Sequence, residues 1–248
     1  MAAQAIWPDG AMRVVDAEEA SAWLGEPVEA GGLMMAGARA MRPAVLLEGL
    51  LNGVETVAMS VERLEPTEAG WRLVGAGGAA LEADAVVVAA GWGAATLLPE
   101  FSIKPVRGQA EWVEGAGGPA TAWGGYVAPG DGGLLFGSTH DRDRTDTATD
   151  GDSATRNRGT LAEQLPGLAA ALADRPAVSR AAVRATTRDR SPIAGAVPGR
   201  PGLFVLSGMG SRGFTLAPLL AEHVAALVLD APSPLPKRLA AVVDPGRF

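Results

Sequence analysis

The stretch "GLFVLSGMGSRGFTLAPLLAEHVAALVL", residues 202–229, joins a short apolar run to a long helix-like run through three closely spaced glycines. Only a strand, a tight turn and a helix satisfy that order, so the segment asks for a layered fold with a sheet and at least one covering helix. Gly208, Gly210 and Gly213 keep the G-x-G-x-x-G spacing of a dinucleotide fingerprint. That fingerprint also needs a second parallel strand carrying an acidic residue about 20 positions on. Asp230 stands near that distance, but the helical pattern runs straight into it, and "APSPLPKRLAAVVDPGRF" offers no buried strand beyond it. What remains is local physics. Glycines let a backbone approach a ligand closely, and the free amides at a helix start favour an anion or an electron-rich carbonyl. The competing reading is that the glycines only permit tight strand-to-helix packing, and the motif alone leaves both open.

A second run points the same way. "ADAVVVAAG", residues 83–91, is built of small and β-branched residues, as expected for a strand of a parallel sheet buried on both faces. Elsewhere the periods are mixed. Met12 to Val15 read as a strand and "AEEASAWLG" as a helix capped by Asp16 and stopped by Gly25. "RPAVLLEGLL" reads as an amphipathic helix with Leu46, Leu47 and Leu50 on one side. Gly75, Gly77 and Gly78 sit between alternating segments and predict a hairpin turn, not a phosphate loop. "IKPVRGQAEWVEG", "TAWGGYVAPG" and "GLLFGSTHD" predict strands of an antiparallel sheet. "DRDRTDTATDGDSATRNRG" lacks a hydrophobic period until Leu161 and predicts a loop running into the helix "RNRGTLAEQLPGLAAALAD", residues 156–174. The fold class is therefore α/β (α+β), with two kinds of sheet.

Composition closes off several functions. The 248 residues contain no cysteine and only two histidines, which excludes a disulfide framework, thiolate metal sites and a cysteine nucleophile, and argues against a histidine-rich metal site. No metal is expected. The net charge of −7 argues against a broad nucleic-acid surface, leaving room for a local basic patch. No apolar run reaches the about 18 residues of a membrane helix, and the first ten residues lack the pattern of a secretory leader. The expected location is cytoplasmic.

"ADAVVVAAG", "KPVRGQ", "GGYVAP", "FGSTHDRDRTDT", "VRATTRDRSPIAG" and "GLFVLSGMGSRGFTLAPLLAE" occur in the order that resembles FAD-dependent amine oxidoreductases of the D-amino-acid and glycine oxidase superfamily. Within it, the chain most resembles the oxidoreductase domain of bifunctional tRNA methylaminomethyl-thiouridine biosynthesis enzymes. The resemblance implies a flavoprotein-type FAD/NAD(P)-binding fold, here partial, with an antiparallel-sheet substrate domain of the D-amino-acid oxidase type. The FAD-binding part would be discontinuous, approximately 80–100 and 200–230, and the substrate sheet approximately 12–79 and 101–199 of a chain read as one unit, 1–248. Members begin with a strand, a G-x-G-x-x-G turn and a helix, and residues 11–33 resemble instead the middle of such a protein. The sequence is thus expected to be a piece lacking an N-terminal FAD half-site, with weak or absent FAD affinity by itself. A preceding segment and a fused methyltransferase are the implied companions, and a catalytically silent remnant is a third reading.

By resemblance, Gly208, Met209, Gly210, Ser211, Arg212, Gly213 and Phe214 face the flavin, where reduction places negative charge that preorganised amides stabilise. Ala90, Gly91 and Trp92 end the buried strand near the same cofactor, or are an ordinary strand end. Arg184 resembles an arginine whose planar fork holds a substrate carboxylate. Arg107 is either near the active site or a solvated surface arginine; Tyr126, the only tyrosine, bonds substrate or buries its ring. Arg188 and Asp189 either belong to the site or form an ion pair with each other. His140 is expected in solvent and His223 in a structural role. The implied reaction is FAD-dependent oxidative cleavage of a C–N bond in a glycine-like group, on carboxymethylaminomethyl-uridine of tRNA or, alternatively, on glycine or another free small amine. The arginines of 142–158 and 175–190 would meet tRNA phosphates.

Overall fold

The computed structural model describes residues 11–130 and 132–248, which divide into two compact units. In chain order the elements are β1 (Arg13–Val15), α1 (Ala17–Leu24), β2 (Gly32–Met34), α2 (Pro43–Leu51), β3 (Val61–Pro66), β4 (Trp71–Gly75), β5 (Ala80–Ala83), β6 (Val86–Val88) and α3 (Ala94–Leu97). They continue with β7 (Lys104–Glu114), β8 (Thr121–Ala122), β9 (Tyr126–Gly130), β10 (Gly133–Gly137), β11 (Asp141–Arg142), α4 (Gly151–Gln164), α5 (Pro166–Ala171) and β12 (Val178–Thr186). The last are β13 (Ile193–Ala196), β14 (Leu203–Ser207), α6 (Gly213–Val228) and α7 (Lys237–Val243). The mixed α+β class read from the sequence holds.

Among the described residues, one unit comprises 11–54, 108–130, 132–140 and 147–181. Its sheet runs β8-β9-β10-β7 in antiparallel order, as the three glycine-separated segments predicted. Val113, Leu134 and Phe136 from the sheet meet Leu161, Leu165 and Leu172 from the helices in its core. The predicted single helix is broken at Pro166, where α5 starts, and helix α4 begins at Gly151, ahead of the predicted start at Arg156. The cause is chemical. Its buried stripe is Ser153, Asn157 and Leu161, so two of three inward positions are polar and no hydrophobic period shows in the sequence. Asn157 donates to the Gln109 carbonyl at 2.9 Å and to Glu111 Oε1 at 3.1 Å. Gln109 in turn accepts from the Asp150 amide at 2.9 Å and donates to the Asp150 carbonyl at 3.0 Å, pinning the cap residue of α4 to β7. Asp150 itself accepts from the Ser153 amide at 2.7 Å.

Two other local readings meet different outcomes in this unit. Asp16 caps α1 by accepting from the Glu19 amide, and Gly25 ends it in the left-handed region at φ 78°, both as read from the sequence. Helix α2 forms over the expected residues, yet it buries no side chain; Leu47 and Leu50 lie in the open. Its amphipathic pattern has no inward face among the described residues.

The other unit comprises residues 55–107, 141–146 and 182–248. It therefore gathers 55–79 together with the 80–100 and 200–230 segments. Strands β3, β4 and β5 form a meander, with the Gly75–Gly78 turn joining β4 to β5 as a hairpin. A second sheet has the order β13-β14-β6, in which β14 runs parallel to β6 and antiparallel to β13. Val86, Val88, Leu203 and Val205 fill its core with Trp71, whose indole nitrogen donates to the Pro201 carbonyl at 2.9 Å. The parallel strand was expected to be buried on both faces, but Val87 is 40% exposed. As β6 ends the strand order and Val86 and Val88 take the core side, Val87 points to the opposite face beside Phe204 and, at the sheet edge, is only partly covered.

Helix α6 covers this sheet through Leu220 and Val224 packed with Ala194 and Phe204. His223 is buried on it, its Nδ1 2.7 Å from the Ser233 hydroxyl, a structural role as read from the sequence. Burial pushes its pKa below the ordinary value, against the raising influence of Asp244 and the Ala194 backbone. Because the unfolded chain takes up a proton at about pH 6.5 that the fold resists, stability is expected to be level above that pH and to fall as pH drops below it. Urea titrations at several pH values test this, and His223→Gln should flatten the fall; an unchanged slope would contradict it.

Candidate active site

Two backbone turns meet at the carboxyl ends of parallel neighbours. β6 and β14 pair with Val88 opposite Val205, so the residues after each strand, Ala89–Gly93 and Gly208–Gly213, leave the sheet at the same edge. The Ser207 hydroxyl ties them, donating to the Gly91 carbonyl at 2.9 Å. Gly91 and Gly210 hold φ values of 55° and 56°, and a Cβ built on Gly91 or Gly213 would meet no atom within 4 Å. Open backbone at carboxyl strand ends is where open α/β sheets take ligands. Helix α6 follows the 3₁₀ turn Gly210–Arg212, and its N-cap residue Arg212 makes no side-chain cap hydrogen bond. The positive end of the helix dipole points to this edge.

The sequence-read cofactor residues come together here: Ala90 and Gly91 on one turn, Gly208, Met209, Gly210, Ser211, Arg212 and Gly213 on the other, with Phe214 exposed on the first turn of α6. Trp92 is different, since its ring is half-buried against the core cluster that contains Val88 and Ala94. Gly208 also has a packing duty. It sits at φ 73°, and an added Cβ would stand 2.7 Å from Thr187 Cγ2. The packing reading of the glycine motif thus holds at Gly208.

A third turn, Thr187–Ser191, lies against the second. Thr186 forms an isolated bridge with Met209, and Arg212 Nη2 donates to the Arg190 carbonyl at 2.7 Å. Arg184 is half-buried two residues before that bridge, on the alternate face of β12 from Ala185, which enters the core. Within the turn, Asp189 Oδ1 accepts from the Thr187 hydroxyl and the Ser191 amide, both at 2.9 Å. Its charge partner is Arg247, with Nε to Oδ2 at 2.9 Å, and not the neighbouring Arg188 considered from the sequence. The Arg247 hydrogen bond, helped by Ser191 and Thr187, outweighs desolvation and holds the Asp189 carboxyl well below the ordinary carboxylate range. No sequence signal linked residues so far apart.

Arg107 is not a solvated surface arginine. Its side chain is 0% exposed, with Nη1 3.2 Å from Asp141 Oδ2 and Nε 3.5 Å from Asp146 Oδ1. It anchors the 141–146 segment to β7, where Asp141 pairs with Arg107 in the ladder. Tyr126 belongs to the other unit, half-buried on β9 opposite Gly137. His140 is exposed, with Nδ1 3.2 Å from the Ser138 carbonyl. Of the arginines read as phosphate contacts, Arg158 donates to the carbonyls of Leu172 and Arg175, and Arg175 to those of Glu114 and Gly115. Their side chains are committed to internal bonds, whereas Arg180, Arg188 and Arg190 are exposed. Among the described residues no three His, Cys, Asp or Glu side chains cluster to hold a metal, and no helix is long and apolar enough to cross a membrane.

A sheet edge with paired glycine turns, an uncapped helix start and a separate antiparallel sheet is the architecture of a flavoprotein oxidoreductase of the D-amino-acid oxidase type. The chain belongs to the FAD dependent oxidoreductase family (DAO), whose profile matches residues 2–227. It is 50% identical over its whole length to the tRNA 5-methylaminomethyl-2-thiouridine biosynthesis bifunctional protein MnmC of Caulobacter sp. (strain K31), and 35% identical over 95% of its length to that of Thiobacillus denitrificans. It spans 41% of each of these relatives. Among solved structures, glycine oxidase from Geobacillus kaustophilus superposes with a TM-score of 0.78 at 25% identity, covering 91% of this chain and 65% of that one. L-proline dehydrogenase from P. horikoshii shares the fold, with a TM-score of 0.80 at 18% identity over 96% of this chain and 69% of that one.

The donor set fits the family's cofactor at the paired turns. The space in front of Gly91 and Gly213 that a Cβ would enter is open, and the positive dipole end of α6 suits the electron-rich edge of a flavin ring.

Proposed function

We propose that these residues form the flavin-facing and substrate-binding part of an FAD-dependent amine oxidoreductase that cleaves the C–N bond of a glycine-like group. The favoured substrate is carboxymethylaminomethyl-uridine of tRNA. The observation that carries the reading is the hydrogen-bonded pair of glycine turns at the carboxyl ends of β6 and β14, with the Arg184-bearing strand bridged to the second turn. The relatives named for a tRNA modification favour the nucleoside, and glycine oxidase shows that the fold accepts a free amino acid.

When bound, FAD supplies a two-electron acceptor for hydride from the carbon beside nitrogen. Gly91, Gly210, Gly213 and the first amides of α6 would hold its ring, the amides opposing the negative charge that develops on reduction. Arg184 would orient the substrate by its carboxylate, and Arg212 would keep the second turn on the Thr187–Ser191 turn. Oxidation of the C–N bond yields an imine, which water hydrolyses to glyoxylate and the freed amine. Positioning carries the rate in this scheme, and no side-chain base is required.

Glyoxylate release from modified tRNA and from free glycine, each with added FAD, tests the proposal. Release from the tRNA is expected; turnover of glycine alone would leave the oxidoreductase class and remove the tRNA substrate. Flavin absorbance of the purified 248-residue chain after incubation with FAD measures whether these residues hold the cofactor.

A further inference from the structure

We infer that Arg247 is a positioning residue, whose guanidinium locks the Thr187–Ser191 turn and through it the glycine turn at Gly208–Gly213. The inference rests on the proposed function, which makes those turns the substrate- and flavin-facing backbone. Arg247 lies in a single 3₁₀ turn, Pro245–Arg247, and acts as a hub. Its Nε donates to Asp189 Oδ2 at 2.9 Å, Nη2 to the Ser191 carbonyl at 2.9 Å, and Nη1 to the Asp244 carbonyl at 2.9 Å. The guanidinium stacks 4.3 Å from the Phe248 ring centroid and is only 15% exposed. A planar fork that serves two backbone carbonyls and a carboxylate at once is a task lysine cannot reproduce.

The turn it grips needs holding. Arg190 sits at φ 61°, in the left-handed region that non-glycine residues avoid, and such conformations persist where the surroundings over-determine them. The surroundings here are Asp189, bonded to Thr187, Ser191 and Arg247, and the Arg190 carbonyl, which receives Arg212. The 3₁₀ turn is itself seated. Asp244 accepts from the Gly246 amide at 2.6 Å, and Pro245 Cδ occupies the place a Cβ on Gly195 would take, 2.8 Å from it. Gly195 stands at φ 154° on β13, two residues beyond the start of the strand that follows the gripped turn. The lock thus runs from Pro245 on β13, through Arg247 and Asp189, to Arg190 and Arg212. The Thr186 bridge to Met209 and the contact of Thr187 with Gly208 carry any shift of the turn directly to the glycine backbone.

Amide hydrogen exchange on Arg247→Ala, Arg247→Lys and the parent chain tests the lock without needing flavin. Arg247→Ala is expected to speed exchange about tenfold or more at 187–191 and also at 208–214, while the β7–β10 sheet stays protected. Arg247→Lys, which restores a point charge but not the fork, is expected to loosen the same two turns to a smaller degree. With FAD and a glycine-like substrate, KM is expected to rise more than kcat falls, as Arg184 loses its alignment. Loosening confined to 187–191 and 244–248, with 208–214 unchanged, would overturn the inference and reduce Arg247 to an anchor for its own segment. If protein shown by flavin absorbance to be loaded with FAD oxidises no amine, the proposed function fails while the exchange result still stands or falls by itself.

Discussion

Arg107→Met is expected to cost about 3 kcal/mol of stability, because breaking a buried ion pair strands the partner charge. The guanidinium is fully enclosed, Asp141 is 13% exposed and Asp146 is 46% exposed. Asp146 can turn to water, which places the expected loss toward the lower end of the range for buried pairs, whereas Asp141, opposite Arg107 in the ladder, is largely buried and would be left with an uncompensated charge. Methionine fills most of the volume, so the loss reports charge and hydrogen bonding more than a cavity. The midpoint and slope of urea unfolding measure it. A loss below about 1 kcal/mol would mean that the carboxylates find other partners. The same variant separates two roles for Arg107. A residue that touched substrate would lose activity with its stability intact, and the geometry predicts the reverse order.

The second large effect concerns Arg184. Under the proposed function, Arg184→Ala is expected to lower kcat/KM for a carboxylate-bearing amine by about a hundredfold or more, since truncating one partner of a hydrogen-bonded charge pair costs about 2–5 kcal/mol. Arg184→Lys should recover part of this, by charge without the two-pronged geometry. The diagnostic comparison is an amine of the same size without a carboxylate, for which the variant and the parent should differ little. Equal losses on both substrates would show that Arg184 supports the strand and not the substrate. Its position permits the test, because it is half-buried on the face of β12 away from Ala185 and the core.

Local features of the chain were legible where their physics is local. The cap at Asp16, the stop at Gly25, the hairpin at Gly75–Gly78 and the antiparallel strands β7 to β10 follow from residue type and period. The start of α4 was not, because Ser153 and Asn157 replace apolar residues on its inward face and find their partners on β7. Helix α5 shows the same limit. Its first amides, on Gly167 and Leu168, are capped by Glu26 at 2.6 and 3.0 Å, a carboxylate from far upstream. At the candidate site, the glycine turn at 208–213 announced itself by spacing and Gly91 by the resemblance, while the Ser207 bond that ties them and the lock at Arg247 did not.

The sequence by itself determined the family, the strand–turn–helix at 202–229 and the mixed class of the fold, since glycine freedom, strand alternation and helical period act between residues a few positions apart. The tertiary structure decided which turns face one another, that Arg107 is buried between two aspartates, and that Asp189 answers to Arg247 and not to Arg188. Those outcomes rest on hydrogen bonds and ion pairs between distant segments, which leave no period in the sequence and exist only once the strands have brought their ends together.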